Sequence, residues 1–129
     1  MRYLRLEDLL TLADDLGVPH IRDLGLLDSA AHRPQSSLFG RDAYPSLFEK
    51  AAVLLESIVR NHPLVDGNER LGWLSAVVFL GLNAVALDAP DDAAYDLVIG
   101  VATGSASGAE SARMLEEWSR PSEASRAGR

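Results

Sequence analysis

The amino-acid sequence predicts an all-α fold: a compact bundle with a central buried helix pair and one long irregular segment ahead of it. Three observations lead there. Apolar residues recur at helical spacing in two stretches, Leu4 to Leu16 and Pro45 to Asn61. A third stretch, Leu71 to Leu80, is apolar nearly all round, which places it at the centre of a fold. No run alternates apolar and polar residues long enough to make a convincing strand.

The first helix carries Leu6, Leu9, Leu10, Ala13 and Leu16 on one face, and Gly17 and Pro19 end it. Residues 17–44 show no sustained period; Leu24, Leu26, Leu27, Leu38 and Phe39 are scattered among Gly25, Pro34, Ser36, Ser37 and Gly40. A connection of that length is usually functional or mobile, or a surface loop with short helices of its own. The second helix starts at Pro45, a residue suited to a first turn. It sets Leu47, Phe48, Ala51, Ala52, Leu54, Leu55, Ile58 and Val59 against Glu49, Lys50, Glu56 and Arg60 on the opposite face. It stops at Asn61-His62-Pro63, because the residue before proline is pushed out of the helical region. After a turn, Asp66 or Asn68 is placed to cap the buried helix, which runs to about Asn83. A break at residues 88–92 supplies N-cap chemistry for a helix from Asp91 or Asp92 to Thr103. Gly104 to Gly108 is a linker, and a last helix covers Ala109 to Ser119 with Met114, Leu115 and Trp118 facing the core. The polar residues 121–129 read as a frayed tail.

The 129 residues fit one domain spanning 1–129, long enough to bury a core. The chain has no cysteine, which excludes disulfides and thiolate metal sites and fits a cytoplasmic protein. No apolar run reaches the ~20 residues that cross a bilayer, and the charged start has no signal-peptide core, so no membrane partner is expected. A net charge of −7 argues against a broad grip on nucleic acid. The basic residues are almost all arginine; Lys50 is the single lysine.

Chemistry concentrates in the loop His62-Pro63-Leu64-Val65-Asp66-Gly67-Asn68-Glu69-Arg70. Singly, each residue has an ordinary role: a histidine meets the dipole at a helix end, Asp-Gly turns the chain, and asparagine caps a helix. Together, between two strongly apolar helices, they favour a site. A helix N-terminus offers unpaired N–H groups to an anion. Gly67 lets the backbone approach that anion, and Arg70 can fork onto phosphate oxygens. Asp66 is a hard oxygen ligand suited to Mg2+ shared with a nucleotide. His62 belongs to the residue type that titrates near neutrality and can act as general base. A base, a metal ligand, an anion cradle and a charge clamp are the parts of phosphoryl or nucleotidyl transfer.

The loop resembles the motif of the Fic/Doc family, His-x-Phe-x-Asp/Glu-Gly/Ala-Asn-Gly/Lys-Arg. It matches at His62, Asp66, Gly67, Asn68 and Arg70, with Leu64 replacing the aromatic residue. The flanks are similar to the Doc branch: Tyr44-Pro45 and Glu49-Lys50-Ala51-Ala52 before the motif, Phe79-Leu80 and Leu82-Asn83 after it. Arg22 to Ala30 and Arg33-Pro34-Gln35 are similar to the family's flap region. The resemblance implies a toxin that uses ATP and Mg2+ to phosphorylate a hydroxyl of translation elongation factor Tu, restrained by a Phd-like antitoxin. It implies His62 as base, Asp66 as the Mg2+ ligand, and Gly67, Asn68 and Arg70 around the phosphates. Leu64 would anchor the loop, and the 17–44 segment would dock the target.

Position 69 departs from the family. AMP-transferring Fic proteins carry glycine there and Doc-type kinases lysine, whereas this chain carries Glu69 at the phosphate-binding position. One attraction is lost and one repulsion gained, each on the order of 3 kcal/mol at ~5 Å before screening. Glu69 can also pair with an arginine, recruit a second Mg2+, or simply favour the helix dipole. Three explanations stand: a natural variant with altered chemistry, a degenerate member that binds nucleotide or antitoxin without turnover, or an inactivating change. AMP transfer is the alternative reaction.

Overall fold

The computed structural model describes residues 1–121. Along the chain come α1 (Leu6–Asp15), α2 (Leu24–His32), a 3-10 turn (Arg33–Gln35), the hairpin β1 (Ser37–Leu38) and β2 (Arg41–Asp42), and α3 (Leu47–Asn61). Then follow α4 (Asn68–Leu82), β3 (Val85–Leu87), α5 (Asp91–Thr103), α6 (Gly108–Glu117) and β4 (Ser119–Pro121). The class is all-α, with strands of only two or three residues among the described residues.

The axis is the α3–α4 pair, the most extensive contact between elements. α3 is buried at Ala51, Leu54, Leu55, Ile58 and Val59, and α4 at Leu71, Ala76, Phe79 and Leu80. Each fully buried Leu, Ile or Phe is worth ~1.5–3 kcal/mol. The helices approach closely because Gly72 has no side chain: a Cβ there would stand 2.6 Å from Val59 Cγ1 and 3.1 Å from Leu55 Cδ1. α1, α2, α5 and α6 pack round this pair, burying Leu9, Leu27, Val98, Val101 and Leu115. The outer side of α4 (Trp73, Leu74, Val77, Val78) is only half-buried, so this helix is central on one face rather than all round.

Several expectations change. The 17–44 segment is not irregular throughout, because α2 lies inside it. Asp23 caps α2 by accepting from Leu26 N–H at 3.0 Å, and its buried face is Leu27, Ala30 and Ala31. That face is short and built from alanines, so it has little apolar contrast in sequence. Most of the run likened to a flap is therefore helix, and the outward element is the 37–42 hairpin. Its turn, Phe39-Gly40, has positive φ at both residues (53° and 77°), the geometry that matches strand twist. Pro45 stands one residue before the cap of α3, which is Ser46; its Oγ accepts from Glu49 N–H at 3.0 Å. Pro90 is the N-cap of α5 and supplies no side-chain bond, leaving Asp91 and Asp92 to meet the dipole. β3 and β4 pair antiparallel, with Val85 opposite Pro121, so the first residue of the expected tail is in a ladder. The rest of that tail, 122–129, lies outside the described residues.

Lys50 is the largest correction. It is 1% exposed, not on the solvent face. Its Nζ donates to Asp42 Oδ2 and Pro34 O, both at 3.1 Å, and to Tyr44 O. A buried ammonium needs acceptors, and here they come from the segment leading into α3. Arg33 adds a second tie, from Nη1 to Glu56 Oε1 (3.1 Å) and Ser57 Oγ (3.0 Å).

Candidate active site

α3 ends in a left-handed residue, and that residue is His62 (φ 52°, ψ 59°). A non-glycine residue in this region stores backbone strain and needs surrounding structure to hold it. The strap His20–Asp23 supplies it. Arg22 Nε donates to His62 O at 2.6 Å and Nη2 to Asn61 O at 2.8 Å. The N–H groups of Arg22 and Asp23 both donate to Pro63 O, at 2.8 and 3.0 Å. Ile21 forms an antiparallel bridge with Leu64, and Val65 N–H donates to His20 O at 2.9 Å.

From the other side, the Asn68 side chain closes the loop. Its Oδ1 accepts from Leu64 N–H at 2.9 Å, and its Nδ2 donates to Leu64 O at 3.1 Å. Leu64 is buried in the core, as its place in the motif led one to expect. Neither Asp66 nor Asn68 caps α4. The N-cap is Gly67 (φ 82°), and Asn68 is the first helical residue, so the last three residues of the 62–70 loop are already helix. Only glycine fits at 67: the conformation is left-handed, and a Cβ would stand 2.7 Å from Val18 Cγ1.

This geometry leaves an anion cradle. The first backbone bond into α4 runs from Leu71 N–H to Gly67 O at 2.9 Å, so the N–H groups of Asn68, Glu69 and Arg70 precede the ladder. Asp66 Oδ1 accepts from Gly67 N–H at 2.8 Å, which orients the carboxylate and leaves its second oxygen without a bonded partner among the described residues. His62, Asp66, Glu69 and Arg70 are all exposed, while Pro63, Leu64, Gly67 and Asn68 are buried. Glu69 and Arg70 make no ion pair among the described residues, so the carboxylate does not neutralise the clamp beside it. No cluster of three or more His, Cys, Asp or Glu side chains that could hold a metal exists among the described residues.

A cleft of about 290 Å3 opens where α4 begins. Glu69, Arg70 and Trp73 of α4 line it with Asp91, Ala94, Tyr95, Val98 and Ile99 of α5. A smaller hollow of about 90 Å3 sits beside Asp66, between Gly17, Val18, His20 and Val65. The structure thus gathers all six candidate residues on one loop and one helix end. It adds what the sequence reading missed: Arg22, Asp23 and Val18 behind the loop, and Trp73 and Tyr95 beside it. The signal for Arg22 lay only in the run Arg22-Asp23-Leu24; nothing in its spacing points to a contact 40 residues away.

No helix among the described residues is long and apolar enough to cross a membrane. A model of the Fic/DOC family matches residues 3–80, from α1 through most of α4. The chain is 50% identical over 105 residues to Toxin Doc of Mycolicibacterium smegmatis, covering 78% of this chain and 81% of that one. It is 34% identical over 110 residues to Protein kinase doc of Escherichia phage P1, covering 81% and 85%. The helical frame, the motif at the start of α4 and these relatives agree: the chain belongs to the Fic/DOC family, in its Doc-type branch.

Proposed function

We propose that this chain is the toxin of a toxin–antitoxin pair and that it transfers a phosphoryl group from ATP to a hydroxyl of a target protein, translation elongation factor Tu. The observation that supports this most is the open N-terminus of α4, with exposed His62, Asp66 and Arg70 round three N–H groups that have no bonded partner among the described residues. The names Toxin Doc and Protein kinase doc agree with it.

The residues fit the groups the reaction needs. The N–H groups of Asn68, Glu69 and Arg70 suit phosphate oxygens, with Arg70 adding charge. The apolar floor of Trp73, Val98 and Ile99, with Tyr95 beside it, suits a nucleobase. Mg2+ does not require a protein cage; it is commonly held by one or two carboxylates plus phosphates and water, and Asp66 is that carboxylate. When bound, Mg2+ neutralises charge on the phosphates. His62 accepts the proton as the target hydroxyl oxygen bonds to the γ-phosphorus, and the bond to ADP breaks. A Phd-like antitoxin restrains the enzyme.

Glu69 sets the rate. It is exposed, so water screens its charge, and each of the two terms, the lost attraction and the gained repulsion, falls towards the ~0.2–1 kcal/mol of surface pairs. Glu69→Lys is therefore expected to raise transfer of γ-label from ATP onto elongation factor Tu by roughly 2- to 30-fold, and to arrest growth on expression. A Lys variant that binds ATP yet transfers nothing contradicts the kinase reading. That result would favour the second reading, a nucleotide- or antitoxin-binding module, to which the uncompensated Glu69 carboxylate also points. Label arriving from α-labelled ATP instead would identify AMP transfer.

A further inference from the structure

We propose that Arg22 is a positioning residue for His62, holding the carbonyl end of α3 so that the strained turn carrying the imidazole keeps a single geometry. The proposal rests on His62 being the base of the reaction proposed above. Three consecutive carbonyls at the end of α3 are taken by one strap: Asn61 O and His62 O by the Arg22 guanidinium, Pro63 O by the Arg22 and Asp23 N–H groups. The 2.6 Å bond is made to the carbonyl of His62 itself.

The physical need is specific. The last carbonyls of a helix lack intrahelical partners and carry its negative dipole end. A positive φ at His62 is unfavourable without glycine there, by ~1–2 kcal/mol. A planar, permanently charged fork bonding two adjacent carbonyls offsets both costs; a lysine would reach them only as a point charge. The loop beyond is fixed by the Asn68 side chain, the Ile21–Leu64 bridge and the main-chain bonds to Pro63 O, so freedom gained on removing the Arg22 guanidinium concentrates on residues 61 and 62. Arg22 is on the surface and fills no core space, which separates positioning from packing.

The test uses Arg22→Ala and Arg22→Lys, each in the parent chain and on Glu69→Lys. Arg22→Ala is expected to lower kcat by about 10- to 100-fold, the scale of a misplaced catalytic group, with the KM for ATP changed less than about twofold. Arg22→Lys should fall between, and millimolar guanidinium should restore part of the Arg22→Ala rate without accelerating the parent. An unchanged kcat in Arg22→Ala overturns the proposal, as does a loss carried by KM alone. A readout independent of turnover accompanies these: the His62 ring-proton resonance should change position or broaden in Arg22→Ala, and the His62 N–H, bonded to Ile58 O, should exchange at least about tenfold faster while the α1 amides stay unchanged. If Glu69→Lys transfers nothing, the kinase reading fails by itself. The resonance and exchange data then still decide whether Arg22 fixes His62, and unchanged values refute it.

Discussion

His62 and Lys50 show how single residues are set by partners distant in sequence. His62 is left-handed because Arg22 and Pro63 hold the end of α3, and its side chain is exposed where the anion cradle starts. Lys50 is buried because Pro34, Asp42 and Tyr44 converge on it. Asp42 is 56% exposed, so replacing the lysine returns that carboxylate to water rather than stranding it. Lys50→Met is accordingly expected to cost ~1–3 kcal/mol, the range for buried hydrogen-bond loss, rather than the larger cost of an orphaned charge. Chemical denaturation measures it. Hydrogen exchange should show the Ala43 N–H, bonded to Ser36 O at 2.9 Å, opening first. A variant as stable as the parent would mean the ammonium contributes nothing to holding the hairpin. The candidate residues were legible in the sequence because the motif is contiguous. Their partners were not: Asn68 read as a cap is a clamp on Leu64, and Lys50 read as solvent-facing is core. Side-chain partners across the chain leave no periodic trace.

Among elements, α3 and α4 were legible because their apolar faces are wide and a proline stops α3 at residue 63, although the caps themselves, Ser46 and Gly67, were read one residue or so away, at Pro45 and at Asp66 or Asn68. α2 was hidden by its alanine face, and the β3–β4 pair by its three-residue length, below what alternation can reveal. α4 also contains a small frustration. Ser75 is fully buried on the helix, and its Oγ has no hydrogen-bond partner among the described residues. Removing a buried, unbonded hydroxyl costs little and relieves its desolvation. Ser75→Ala should raise stability by ~1 kcal/mol, read as a higher midpoint in urea with unchanged slope. A clear loss of stability would show that the hydroxyl has a partner in solution. The variant lies away from the exposed site residues, so transfer activity should stay at the parental level.

At the scale of the molecule, the fold is a frame for one helix end. The α3–α4 pair fixes the two sides of the motif, the His20–Asp23 strap and Asn68 close the loop, and the α4–α5 cleft opens beside it. The class and the central pair were readable from periodicity; the strap and the cleft were not, since both depend on how distant segments meet. The central claim is that His62 drives transfer of the γ-phosphoryl group. Its most direct test is a side-by-side reaction of the parent chain, Glu69→Lys and His62→Ala with elongation factor Tu, using ATP labelled at the γ- or the α-phosphate. The expected result is γ-label alone on the factor, strongest with Glu69→Lys and lost, by at least about 100-fold, with His62→Ala. Label from the α-position, or a His62→Ala chain as active as its parent, would contradict it.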